Sequence, residues 1–149
     1  MRRVATFFAL EPGDRALLLW AFTTVAVVRI SLPLLAISRL RAWAGHVTAG
    51  TRPVDRIVWA VGVASRLLPG TTCLASALAL QRRLSAEGHA SEVHIGVARQ
   101  DQTFAAHAWL SCEGRILVGE LDHGRFTRLV VWKAADLPRH AAAGKSDPA

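Results

Sequence analysis

The hydrophobic period of this chain changes once, just after Gly88, and that change limits the folds open to it. Before Gly88, apolar residues recur at helical spacing. Ile57, Val58, Val61, Ala64, Leu67 and Leu68 make one stripe, and Leu74, Ala77, Leu78 and Leu84 make another. After it, Val93, Ile95 and Val97 alternate with Glu92, His94 and Gly96, the period of a strand. Helices first and strands after predict an α+β domain, and 149 residues suffice for one core.

The punctuation refines this outline. Residues 1–13 read as an irregular lead-in, with Glu11-Pro-Gly13 breaking the chain before a helix capped by Asp14. Helices are predicted over 15–31, from Pro33 to near Gly45, over 54–68 and over 72–87. Residues 46–53 form a polar connection. Thr71 or Thr72 can cap the last helix, and Gly88 suits its C′ position. Strands are predicted around 93–97, then over 104–112, 115–120 and 125–132, with a tight Glu113-Gly114 hairpin, as a small antiparallel meander. The chain divides into an apolar helical region (1–50), a core (54–138) and a tail without order (139–149).

Charge and hydropathy exclude several classes. The net charge of +7 invites nucleic acid, but the basic residues are dispersed as Arg2-Arg3, Arg39-Leu-Arg41, Arg82-Arg83 and singles. No aromatic platform or zinc knuckle accompanies them, so no nucleic-acid partner is expected. Residues 16–28 are uncharged, yet Arg29 and Pro33 interrupt the run before it reaches the ~20 apolar residues of a membrane span. Glu11 and Asp14 argue against a signal peptide. A buried or partner-binding helix pair in a cytoplasmic protein is expected, with membrane contact as the minority alternative. Cys73 and Cys112 form neither a disulfide framework nor a zinc spacing, and no metal or cofactor is expected.

Three residues in order carry the chemistry. Cys73 follows Pro69-Gly-Thr-Thr72 into the first turn of a helix, where unpaired N–H groups and a partial positive charge suit a thiolate. His107 lies in the β-patterned stretch Phe104-Ala-Ala-His-Ala-Trp-Leu-Ser-Cys112. Glu120 closes Arg115-Ile-Leu-Val-Gly-Glu120. A thiol nucleophile, an imidazole base and an orienting acid are the parts of a cysteine hydrolase or acyl transferase. Pairing 112 with 115 across the hairpin puts 107 opposite 120 on one face, the strongest geometric argument for Glu120. Asp122 is the competing acid. The backbone N–H of Cys73 would serve the oxyanion hole. Trp109 shares the His107 face and either shields the site or packs the core, while Cys112 falls on the opposite face as a core residue. His94 receives no role, and His89, His123 and His140 lack ligand spacing.

These residues also carry a family resemblance. Leu67-Leu-Pro-Gly-Thr-Thr-Cys-Leu-Ala-Ser-Ala-Leu-Ala-Leu80, Arg82-Arg-Leu-Ser-Ala-Glu-Gly88, Ile95-Gly-Val97, and Ala106-His-Ala-Trp109 followed by Gly114 resemble the lasso peptide B2 proteins. Those are the leader peptidases of lasso peptide biosynthesis, with a transglutaminase-like, papain-related core, and the likeness runs from about residue 54 to 132. The resemblance implies a cysteine peptidase that removes the leader from a ribosomally made precursor peptide and frees the amine that an ATP-dependent cyclase joins to an acidic side chain. It implies Cys73 as nucleophile, His107 as general base and acid, and Glu120 as orienting carboxylate, although an Asp is the more familiar partner in such sites. With no segment resembling a leader-recognition domain, it implies a small separate protein that binds the leader. The alternatives are an acyl transferase on the same triad and a non-catalytic membrane-associated scaffold.

Overall fold

A computed structural model describes residues 7–100, 103–119 and 123–134. From Pro12 on, among the described residues, four helices precede a four-stranded antiparallel sheet, the α+β order expected from the period change. The helices are α1 (Pro12–Ser31), α2 (Ile37–Ala44), α3 (Val54–Leu67) and α4 (Cys73–Ala86). The strands are β1 (Ser91–Gln100), β2 (Thr103–Cys112), β3 (Arg115–Val118) and β4 (Thr127–Lys133), with a 3₁₀ turn at His123–Arg125 before β4. The expected tail, 139–149, lies outside the described residues.

The α1 helix starts earlier than expected. Pro12 occupies its first turn, where a fixed φ fits and the missing N–H costs nothing, and Glu11 is the cap position. Asp14 is therefore not the cap but lies inside the first turn, where its carboxylate pairs with Arg56 of α3. The α1 face built from Leu17, Leu18, Ala21, Val25 and Val28 is buried against α3 and α4.

The innermost helix is α4. Ala75, Ala77, Leu78, Ala79, Leu80 and Leu84 are all buried, and the small alanines let the helix lie close to its neighbours. Gln81, also buried, ties it to the sheet by donating from Nε2 to the carbonyls of Ser91 (3.3 Å) and Trp132 (3.1 Å). Its C-terminus is fastened to the preceding connection. The Thr48 N–H donates to Ser85 O at 2.8 Å, and Thr48 Oγ1 donates to Ala86 O at 2.9 Å. Gly88 ends the helix with φ +85°, as its expected C′ role requires.

The sheet corrects two expectations. Its strand order is β3-β2-β1-β4, so the last strand does not continue the meander beside β3. It crosses to the free edge of β1, where Val93 pairs with Trp132 and Ile95 with Val130. Two features explain the crossing: β3 is only four residues long and is followed by Gly119 at φ +80°, whereas ten-residue β1 offers a long unpaired edge. The Glu113-Gly114 hairpin forms as expected, with both residues at positive φ (52° and 76°), and pairs Cys112 with Arg115. The register then shifts between Leu110 and Ser111, so that Leu110 faces Val118. The unbroken register that would set Glu120 opposite His107 is therefore absent, because a bulge moves the pairing by one residue.

Val93, Ala108, Leu110 and Cys112 turn one face of the sheet into the helical core. By alternation His94, Gly96, His107 and Trp109 lie on the other face.

Candidate active site

Local hydrogen bonds build the loop that delivers Cys73. Gly70 turns the chain at φ +75°, which glycine adopts without the penalty of a Cβ. Thr71 Oγ1 donates to Leu68 O at 2.8 Å. Thr72, in extended conformation, caps α4 by accepting the Ala75 N–H on its hydroxyl at 3.2 Å. Of the two candidate caps it is Thr72 that fills the role, which makes Cys73 the first helical residue, with an exposed thiol. The N–H groups of Cys73 and Leu74 have no intrahelical acceptor and point out of the helix end beside that thiol.

The imidazole of His107 is half-buried on β2 and held in a row of rings. Trp109 lies 6.2 Å from it, centroid to centroid, and His94 stacks on the far side of Trp109 at 5.5 Å. Phe126, in the segment leading into β4, packs against His107 at 5.1 Å. Gly96 makes the row possible, since a Cβ there would stand 3.0 Å from the Trp109 ring. The Nε2 of His107 lies 3.3 Å from Gly119 O. A carbonyl only accepts, so this bond requires the proton on Nε2 and leaves Nδ1 as the basic lone pair.

The helix bearing Cys73 packs against the strand bearing His107, but on the face opposite the imidazole, and no hydrogen bond joins thiol and imidazole. Glu120 and Asp122 lie outside the described residues. The carbonyl that holds His107 belongs to Gly119, the residue before Glu120, so the Nε2 edge of the ring is turned toward the start of the segment carrying both acids.

A cavity of about 400 Å³ adjoins these elements. Its walls are Val58, Trp59 and Val61 of α3, Leu80 of α4, and Leu117 and Val118 of β3, with Ser65, Arg66 and Ser76 as its polar groups. Ser76 is one helical turn beyond Cys73, and Val118 directly precedes Gly119, but neither Cys73 nor His107 lines the cavity.

The other titratable groups take structural parts. Cys112 is buried, as expected, and donates its thiol hydrogen to Ala90 O. Burial, with the Glu113 charge adding to it, pushes this thiol up, so it remains protonated and inert. His94 is buried with Nε2 2.7 Å from Ser111 Oγ. Burial holds its pKa below the usual imidazole value, against the opposing pull of Glu92. Among the described residues no group of three or more His, Cys, Asp or Glu is placed to hold a metal ion.

The family model of the transglutaminase-like superfamily matches residues 18–131, well over half of the chain. The chain belongs to the transglutaminase-like superfamily. The matched span takes in most of α1 as well as α2, so the superfamily region reaches further toward the N-terminus than the resemblance around Cys73 and His107 indicated. Transglutaminase-like enzymes generally use a Cys-His-Asp set for cysteine-protease or acyl-transfer chemistry. No curated protein and no solved structure gives a significant match to the chain. Sequence reasoning missed three parts of this site: the Gly119 carbonyl, the Phe126 ring and the His94–Trp109 stack. Only Gly119 left a signal, a glycine directly after an apolar run, which marks a positive-φ stop.

Proposed function

We propose that this transglutaminase-like protein is a cysteine peptidase that removes the leader from a ribosomally made lasso peptide precursor. The observation that carries this reading is an exposed cysteine at the first position of a capped helix, packed against a strand whose histidine keeps Nδ1 free. The motifs around Cys73 and His107 supply the choice of substrate, through their resemblance to the lasso peptide leader peptidases.

The chemistry follows from those groups. His107 Nδ1 takes the thiol proton as Cys73 Sγ attacks the scissile carbonyl, and the oxyanion forms beside the helix-terminal N–H of Cys73. His107 then gives that proton to the departing amine, which releases the core peptide and leaves the leader as a thioester on Cys73. Water, deprotonated by His107, hydrolyses the thioester and regenerates the thiol. An acid from the 120–122 segment, Glu120 or Asp122, orients the ring by replacing the Gly119 carbonyl as acceptor of the Nε2 proton. The proton transfer from the thiol requires His107, which lies on the sheet face turned away from the helices, to move within reach of Cys73 when substrate binds. The cavity between α3, α4 and β3 takes one apolar leader side chain, and a small leader-binding protein supplies the remaining specificity before the cyclase acts.

The test is cleavage of a lasso precursor reconstituted with its leader-binding protein and followed by mass spectrometry. Leader release by the wild type, lost in Cys73→Ala and His107→Ala, is expected. Undiminished cleavage by either variant would overturn the assignment. Transfer of the leader to an added amine without hydrolysis would instead make the protein an acyl transferase.

A further inference from the structure

One side of α1 is built for the core and the other is apolar but uncovered. Leu19, Trp20, Val27 and Ile30 stand 57, 56, 42 and 62 % exposed. Their spacing places them along a single stripe opposite the buried Leu17, Ala21, Val25 and Val28. The stripe does not stop at the end of the helix. It runs on through Leu34, 73 % exposed, and into a crevice of about 310 Å³ between α1 and α2, walled by Val27, Leu35, Leu40 and Trp43. Contiguous apolar surface of this kind marks an interaction face.

The segment that forms that face carries charge of one sign. From residue 15 to residue 54 the sequence contains no Asp or Glu, while Arg15, Arg29, Arg39, Arg41 and Arg52 all fall within it. Arg39 lines the crevice. The two exposed tryptophans each carry a guanidinium over the ring, Arg83 at 4.8 Å from Trp20 and Arg82 at 5.2 Å from Trp43. Apolar residues and tryptophans on one side, bordered by arginines of which Arg52 and the buried Arg83 pair with Glu87, are the composition of a helix lying in a lipid headgroup layer. Among the described residues no helix is long and apolar enough to cross a membrane, so the contact is parallel to the surface. A second copy on this face would bring the arginines of both copies together, and like charges oppose that arrangement.

We propose that the exposed face of α1 and α2 seats the protein on an anionic lipid surface. The contact is independent of the chemistry at Cys73. The probe is co-sedimentation with vesicles of phosphatidylcholine alone and of equimolar phosphatidylcholine and phosphatidylglycerol. Binding at least about tenfold stronger to the anionic vesicles is expected, falling as salt is raised. Arg39→Gln should weaken it about fivefold, as loss of one surface cation does. Ile30→Glu should abolish it, and Leu129→Glu, which alters an exposed apolar residue on β4, should leave it intact. Far-UV circular dichroism confirms that the variants are folded. Absence of vesicle binding, equal binding to both vesicles, or full binding by Ile30→Glu overturns the proposal. So does a concentration-dependent dimer that Ile30→Glu dissolves without any lipid binding, since the face would then belong to a second copy. Retention on an acidic protein with no vesicle binding would likewise assign it to a protein partner.

Discussion

Gly119 and Gly114 offer a matched pair for measuring how tightly the histidine is framed. Their φ angles are nearly equal, +80° and +76°, so alanine at either position pays the same left-handed backbone cost of about 1–2 kcal/mol. Their surroundings differ. A Cβ on Gly114 meets nothing within 4 Å, whereas one on Gly119 would stand 2.8 Å from Trp109 Cβ, 3.0 Å from Ala108 O and 3.0 Å from His107 Nε2. Two of those neighbours are the backbone of β2 and the root of the Trp109 side chain, which cannot swing away, so the crowding adds about 1–3 kcal/mol. With a urea m-value of about 2 kcal/mol/M, Gly114→Ala should lower the unfolding midpoint by about 0.5–1 M, and Gly119→Ala by about 1–2.5 M. Only Gly119→Ala should also slow precursor cleavage, because relieving the clash displaces the imidazole. Equal midpoints for the two variants, or full cleavage activity in Gly119→Ala, would refute the packing of His107 against Gly119.

Three further outcomes follow from single groups. Thr72→Ala removes the α4 cap and should cost about 1 kcal/mol, seen as a Tm drop of about 2–4 °C that Thr72→Ser largely restores; an unchanged Tm would contradict the cap. In native protein iodoacetamide should modify Cys73 while sparing Cys112, which becomes reactive only on denaturation, as peptide mass mapping would read; the reverse order would contradict the assigned burial. Burial lowers the His94 pKa in the folded state, so the unfolded chain takes up the proton more readily. The His94 contribution should be fully present above the ordinary value of 6.5 and be lost progressively as pH falls from there through the lower folded value, a Tm slope that His94→Gln flattens. An identical slope in the variant would remove His94 as the cause.

What the sequence revealed depended on how local each signal is. The α4 helix was readable from end to end, because its cap at Thr72, its periodic leucines and alanines and its stop at Gly88 all act within one turn of where they sit. The hairpin was equally legible, since Glu113-Gly114 dictates its own geometry. The sheet order was not, because the pairing of β4 with β1 is decided by a free edge some thirty residues back in the chain. Nor was the bulge at Leu110–Ser111, which no residue type announces and which removes the register argument for Glu120. Cys73 and His107 were recognisable as chemical types in a suggestive order. The ring row from His94 to Phe126 emerges only once β1, β2 and the approach to β4 are side by side.

The central claim is that Cys73 and His107 act as one unit on a peptide bond. Its most direct test is the cleavage rate of a lasso precursor by Cys73→Ala, by His107→Ala and by the double variant. Groups that act together are strongly non-additive, so all three should fall to the same residual rate. A wild-type rate in either single variant, or a double variant slower by the product of the two single losses, would contradict the account.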